Sequence, residues 1–146
     1  MNVPAEIREF PAIEALVPHR GPMLLLDRIV DCDERCVHAV YTVRGDAWYA
    51  DAGAMPGWIA LELMAQAVAA YSGFTKAERG LPPAQGYLLG TRRFRSARAS
   101  YAAGTTLHVI AEKQYQEPSG LGAFDCRIEE GGARVADATL TVFEPA

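Results

Sequence analysis

Glu62 is the first residue whose surroundings suggest chemistry. It is the only charged side chain between residues 52 and 75, and Gln66 follows it by one helical turn, where its amide can hydrogen-bond the carboxylate. Burial of a carboxyl group raises its pKa, and a carboxyl group held near neutrality suits general acid–base catalysis. We therefore predict a catalytic Glu62 with a raised pKa. The alternative is a Glu62 that reaches solvent at the helix start or pairs with an arginine.

His19 is the second candidate, because Pro18 and Pro22 stiffen the loop that carries it. A histidine in a rigid loop suits a positioned base. The alternative is a structural histidine whose ring bonds a backbone carbonyl. His38 and His108 fall within predicted strands, and we interpret both as structural or exposed.

The dipeptide Pro56-Gly57 precedes the apolar run around Glu62 and indicates a helix start. Free N–H groups at a helix N-terminus attract developing negative charge, such as a thioester enolate oxygen. Because Gly57 lacks a side chain, a ligand can approach its backbone. We expect Gly57 and Gln66 to contact substrate, although a Pro-Gly pair is often only a turn.

Four arginines concentrate positive charge within seven residues of a chain whose net charge is −4. Such a cluster can hold an acidic partner or a phosphate, although a solvated strand edge protected by charge is an equal alternative. The sequence shows no nucleotide-binding loop, no metal-ligand spacing and no Gly-x-Ser-x-Gly elbow. The cluster consists of Arg92, Arg93, Arg95 and Arg98.

Length and composition predict one globular domain over residues 1–146. Half of the residues are hydrophobic and 22% are charged, and the acidic net charge argues against a nucleic-acid-binding surface. The apolar run at 52–75 contains a carboxylate, a proline and glycines, so we predict a core helix and not a membrane span. Cys32, Cys36 and Cys126 lack zinc-site spacing, which favours reduced thiols and a cytoplasmic location.

The hydrophobic pattern predicts an α+β domain in which one long central apolar helix is wrapped by an antiparallel sheet. A short helix is expected at 10–17, a hairpin of strands at 23–30 and 36–43, and a loop at 45–55. The long helix begins at Pro56 and ends near Glu78, before the turn at 80–83. Later strands are predicted at 86–96, 105–116, 122–129 and 134–143, separated by turn residues.

Two motifs resemble the 3-hydroxyacyl-[acyl-carrier-protein] dehydratases, which have the hotdog fold. They are PHRGPMLLLDR at 18–28 and the segment from Met55-Pro56-Gly57 to Gln66. The resemblance implies five to six strands around the helix, a homodimer or a multiple of dimers, and active sites at the subunit interface. It also implies an acyl chain on the phosphopantetheine of a carrier protein or on CoA, with no other cofactor. Residues 92–104 resemble the family's basic strand, which makes the four arginines candidates for carrier binding.

One position departs from that family. Its members place a histidine fourteen residues before the helix glutamate, where this chain has Trp48, and Tyr49-Ala50-Asp51 replaces the Phe-Pro-Gly that normally follows. The sequence is more similar to a divergent branch associated with aryl-polyene or polyketide synthesis. We expect Trp48 to contact substrate.

The resemblance implies dehydration of a 3-hydroxyacyl thioester, with Glu62 as acid and His19 as base, or Glu62 in both roles. Asp51 competes with His19 for the role of base. A hotdog thioesterase is the alternative, with Glu62 as base or nucleophile and the Gly57 amide binding the oxyanion. A third possibility is an inert acyl-binding partner.

Overall fold

The computed structural model describes residues 9–83 and 86–145. Within them the chain forms one long helix, eight strands and two short 3₁₀ turns, Ile13–Ala15 and Gly21–Met23. The helix is α1 (Ile59–Glu78). The strands are β1 (Arg28–Cys32), β2 (Cys36–Thr42), β3 (Ala54–Pro56), β4 (Tyr87–Ser96), β5 (Ser100–Ala102), β6 (Thr106–Gln116), β7 (Leu121–Glu130) and β8 (Ala133–Phe143).

Six strands form one antiparallel sheet in the order β1-β2-β6-β7-β8-β4. The four strands predicted after residue 86 are confirmed, each within one residue at either end. Their burial alternates along much of β6 and β7, which is the pattern of a sheet with one face on the core and the other facing solvent. β4 occupies one edge, and eight of its ten residues are exposed, namely Tyr87 to Arg93 and Arg95.

Helix α1 packs against the inner face of the sheet, where it contacts β2, β6, β7 and β8. Buried side chains such as Leu63, Met64 and Tyr71 point into the core. The α+β prediction is confirmed, and within α1 only Ala77 and Glu78 at its end are exposed. A stripe along α1 is only half-buried: Leu61, Glu62, Ala65, Ala69, Ser72 and Lys76.

The N-terminal predictions need two corrections. The helix expected at 10–17 is reduced to the 3₁₀ turn Ile13–Ala15, and the strand expected at 23–30 begins only at Arg28. The amides of Leu25 and Leu26 donate to the side-chain oxygen of Gln66 instead of to a neighbouring strand. The Gln66 side chain therefore replaces the inter-strand backbone hydrogen bonds that a longer β1 would need.

The loop predicted at 45–55 contains the short strand β3, which pairs with β5. Pro56 ends that strand, opposite Ser100, and does not lie in the first turn of α1 as predicted. Proline is tolerated there because a short edge strand need not use every N–H. In the described part of the chain, no helix combines the length and the hydropathy that a membrane crossing requires.

Candidate active site

A cavity of about 460 Å³ lies along the half-buried stripe of α1. His19 and Glu62 line one part of it, while Ala65, Ala69 and Phe124 supply apolar wall. The start of β4 and the end of β8 complete the lining. The cavity thus places two titratable side chains beside a partly apolar wall, as is common in small-molecule sites.

His19 and Glu62 meet at this cavity. His19 Nε2 lies 3.5 Å from Glu62 Oε1, and both side chains are partly exposed, by 25% and 35%. The residues are 43 positions apart in the chain, so the contact depends on the packing of the loop at 18–24 over the first turns of α1. The two groups are thus close enough to be candidates for a cooperating acid–base pair.

The pKa of Glu62 differs from the prediction. Partial burial acts to raise this pKa, but hydrogen bonds from His19 and Gln66 and the nearby charge of His19 outweigh it, so that the pKa is lowered. The expected raised pKa is wrong because the carboxylate is paired and not isolated. Glu62 is therefore ionised at neutral pH.

Gln66 connects Glu62 to the segment at 18–26, which we call the His19 loop. The predicted contact of Gln66 with the carboxylate is confirmed. Its Nε2 donates to Glu62 Oε1 at 3.1 Å and to the Met23 carbonyl at 2.7 Å. Its Oε1 accepts from the amides of Leu25 and Leu26. Gln66 is completely buried and does not line the cavity. It therefore supports the site through its hydrogen bonds to Glu62 and to the 23–26 backbone.

Gly57 has a structural task that conflicts with the predicted oxyanion role. Its N–H donates to the Ala99 carbonyl at 2.8 Å, so the amide is already engaged. A Cβ at this position would lie 2.5 Å from the Arg98 carbonyl oxygen. Glycine is needed here for close packing of the helix start against the segment before β5, and Gly57 does not line the cavity.

Trp48 and Asp51 both lie outside the cavity lining. The Trp48 indole N–H donates to the Pro22 carbonyl at 2.7 Å, which ties the 44–53 loop to the His19 loop. Asp51 is exposed, and its backbone pairs with that of Ala54 in a tight turn. Of the two candidate bases, the structure brings only His19 to Glu62.

The predicted carrier-binding arginines lie on edge strand β4 and in the turn that follows it, and all four are exposed. Arg98 is partly neutralised because it forms an ion pair with Glu130. A bulge interrupts the pairing with β8 between Arg92 and Arg95, and Arg93 has a φ of 57°. Such an irregular, charged edge resists uncontrolled strand addition.

Sequence reasoning missed the polar end of the cavity. Lys76 Nζ lies 2.8 Å from Glu144 Oε1, and Ser72 donates to Glu144 Oε2 at 2.7 Å. All three residues line the cavity. The alternating spacing of three and four from Glu62 to Lys76 would have placed Ser72 and Lys76 on the stripe that carries Glu62.

His38 and His108 are neither isolated nor fully exposed. His38 Nε2 and His108 Nδ1 lie 2.8 Å apart across β2 and β6, away from the cavity lining. Burial and the neighbouring His108 lower the pKa of His38. Residues 9–83 and 86–145 contain no group of three or more His, Cys, Asp or Glu side chains that could hold a metal ion.

Comparison with known proteins agrees with this architecture. A family model described as ApeP-like, ApeP dehydratase, matches residues 11–146. The 3-hydroxyacyl-[acyl-carrier-protein] dehydratase FabZ of Thermus thermophilus is 33% identical over 144 residues, which cover 93% of this chain and 94% of that protein. The FabZ of Psychrobacter arcticus is 31% identical over 82% of this chain and 84% of its own length.

Solved structures give the same result. The dehydratase heterocomplex ApeI:P from Xenorhabdus doucetiae matches with a TM-score of 0.87 and 28% identity, covering 94% of this chain and 93% of that one. A hypothetical thioesterase from Streptococcus pneumoniae has a TM-score of 0.57 at 17% identity, covering 80% of this chain and 86% of its own, which supports the hotdog fold alone. The chain belongs to the ApeP-like dehydratase family, and its function is of the 3-hydroxyacyl-[acyl-carrier-protein] dehydratase type.

Proposed function

We propose that His19 and Glu62 dehydrate a 3-hydroxyacyl thioester as an acid–base pair. The contact between His19 Nε2 and Glu62 Oε1, 3.5 Å long and at the cavity wall, carries this proposal. Elimination removes a proton from C2 and delivers a proton to the departing 3-hydroxyl group. A pair that holds one proton can perform both transfers.

The lowered pKa of Glu62 keeps its carboxyl group ionised, so in this proposal Glu62 serves as the base and not as the acid. Both of its described contacts fall on Oε1, and Oε2 has no hydrogen-bond partner among the described residues of this protomer. Oε2 accepts the C2 proton, and the protonated imidazole of His19 donates to the 3-hydroxyl as the C3–O bond breaks. Water leaves, the C2–C3 double bond forms, and exchange with solvent removes the proton from Glu62 Oε2 and returns one to His19, both side chains being partly exposed. This order reverses the roles expected from the sequence.

Negative charge that develops on the thioester oxygen is stabilised near the start of α1. Glu62 lies in the first turn of that helix, where the helix dipole is positive. Because the Gly57 amide donates to Ala99, it is engaged for both mechanisms, and neither the enolate of a dehydratase nor the oxyanion of a thioesterase has it as a free donor. The contact with His19 disfavours a catalyst that relies on Glu62 alone.

The edge strand β4 supports assembly as a homodimer. Tyr87, Leu88 and Leu89 are 45–58% exposed on it, and Tyr87 and Leu88 also line the cavity. A second copy paired along this edge would bury these side chains and close the cavity. The ApeI:P neighbour is a heterocomplex, so a related dehydratase subunit is the competing occupant. Native mass spectrometry of the purified chain decides between them.

The substrate is proposed to arrive on an acyl carrier protein. Its recognition is proposed to fall to Arg92, Arg93, Arg95 and Arg98, since such a cluster can hold an acidic partner or a phosphate. Their exposure supports this role. The proposed chemistry needs only the carrier-bound or CoA-bound thioester, without a metal or other cofactor. The cytoplasmic location stays a prediction.

The experiment is mass spectrometry of a panel of 3-hydroxyacyl carrier proteins after incubation with the enzyme. Loss of one water supports dehydration, whereas release of free acid supports the thioesterase and an unchanged panel supports an inert binding protein. His19→Ala should reduce the rate by about a hundred- to ten-thousandfold. Asp51→Asn is the matched control and should lose little, since Asp51 is exposed outside the cavity.

A further inference from the structure

The His19 loop is held by hydrogen bonds from two other parts of the fold. Gln66 on α1 binds the Met23 carbonyl and the Leu25 and Leu26 amides. On the other side, the Trp48 indole N–H donates to the Pro22 carbonyl, three residues after His19. Trp48 therefore links the 44–53 loop to the His19 loop.

Trp48 is itself held in place by the neighbouring Tyr49. The two rings meet edge to face with centroids 5.7 Å apart. Tyr49 is buried, and its hydroxyl pairs with that of Tyr41 and accepts the Arg44 amide N–H at 3.2 Å. The loop that presents the indole is thus anchored to β2 and to the residues just after it.

The His19 ring needs such an external support. A catalytic histidine is commonly oriented by a hydrogen bond to its second ring nitrogen. Here Nδ1 is buried and has no hydrogen-bond partner among the described residues of this protomer. The ring direction then depends on the loop backbone, which Arg20 stiffens by donating to the Val17 and His19 carbonyls at 2.7 Å.

We infer that Trp48 is a positioning residue for catalysis: its hydrogen bond to the Pro22 carbonyl directs the His19 imidazole towards Glu62. This inference rests on the proposed function, because it requires His19 to take part in proton transfer. Trp48 does not line the cavity, so it acts through His19 and not on the substrate.

A double-mutant cycle tests the inference. Trp48→Phe removes the N–H donor and keeps an aromatic ring, and it should lower kcat about ten- to a hundredfold with KM nearly unchanged. In the His19→Ala background the same change should cost less than twofold, since there is no longer an imidazole to position. A general structural role would instead reduce kcat by the same factor in both backgrounds.

Trp58→Phe is the matched control. Trp58 is 61% exposed, and its indole has no hydrogen-bond partner among the described residues, so kcat should stay within twofold of wild type. Should Trp48→Phe fail to fold, benzothienylalanine at position 48 keeps the size of the ring system and replaces the N–H by sulfur, and it permits the same cycle.

Equal losses in the two backgrounds, or wild-type kcat in Trp48→Phe, would overturn the inference. The two proposals fail separately. Wild-type activity of His19→Ala contradicts the proposed function, whereas an impaired His19→Ala together with a fully active Trp48→Phe contradicts only the role of Trp48.

Discussion

Gln66 Nε2 and Glu62 Oε1 are 3.1 Å apart, and the same nitrogen donates to the Met23 carbonyl at 2.7 Å. One buried amide therefore joins the proposed base to the loop that carries its partner. The other end of the amide satisfies two backbone N–H groups of that loop. This arrangement predicts that stability and catalysis share a buried residue that does not line the cavity.

Gln66→Met should lower the free energy of unfolding by about 2–5 kcal/mol, because it leaves buried backbone groups of the 23–26 segment without partners. Urea unfolding measures the change. Gln114→Met is the matched control, since Gln114 is exposed and its one contact, to the Glu112 carbonyl, is 3.5 Å long. Equal stability of both variants would show that the amide is not a structural link.

Gly57→Ala tests whether glycine is required for packing at the helix start. A Cβ there would lie 2.5 Å from a backbone oxygen, so the variant should lose about 1–3 kcal/mol of unfolding free energy through overpacking. Gly90→Ala on β4 is the control, because nothing lies within 4 Å of its added Cβ. A lower melting temperature for Gly90→Ala than for Gly57→Ala would contradict the conclusion that close packing requires glycine at position 57.

The His38–His108 pair predicts that stability decreases as the pH falls. The pKa of His38 is lower in the folded chain than in the unfolded chain, so the unfolded state binds more protons below a pH of about 6.5. The stability is present above that pH and is lost as the pH falls through the lowered pKa. Asp31 and Glu129 oppose the shift, while Arg127 adds to it. Urea unfolding at several pH values should show this loss, and His38→Gln should reduce it.

The four long strands after residue 86 were predicted well because each is rich in β-branched and aromatic residues and is bounded by clear turns, whereas the three-residue β5 was not predicted. The prediction failed where the backbone is paired with distant parts of the chain. Leu25 and Leu26 have the apolar character of a strand, yet Gln66 takes their amides. Pro56 has the signature of a first helical turn, but pairing with the distant Ser100 makes it part of a strand.

The candidate site follows the same division. The motif at 18–28 and the isolation of Glu62 identified the two residues that meet at the cavity. The lowered pKa of Glu62 could not be predicted from its neighbours in sequence. Burial alone would raise this pKa, and the contact that helps to lower it comes from His19, 43 residues earlier. Likewise, the sequence around Gly57 suggests a free amide for an oxyanion, but this N–H donates to the carbonyl of the distant Ala99.

Deuterium exchange at C2 assigns the two proton-transfer roles. Removal of the C2 proton needs only the base, whereas dehydration also needs the acid, so a variant that lacks only the acid can exchange C2 hydrogen with solvent without losing water. With Glu62 as the base, as its lowered pKa indicates, His19→Ala incubated with a 3-hydroxyacyl thioester in D₂O should incorporate deuterium at C2. Glu62→Gln should neither exchange nor dehydrate, and its fold should persist because the amide is close to isosteric with the carboxylate. Mass spectrometry of the recovered substrate measures both variants, with the double variant as the background. Exchange by Glu62→Gln but not by His19→Ala would restore the order expected from the sequence, with His19 as base and Glu62 as acid.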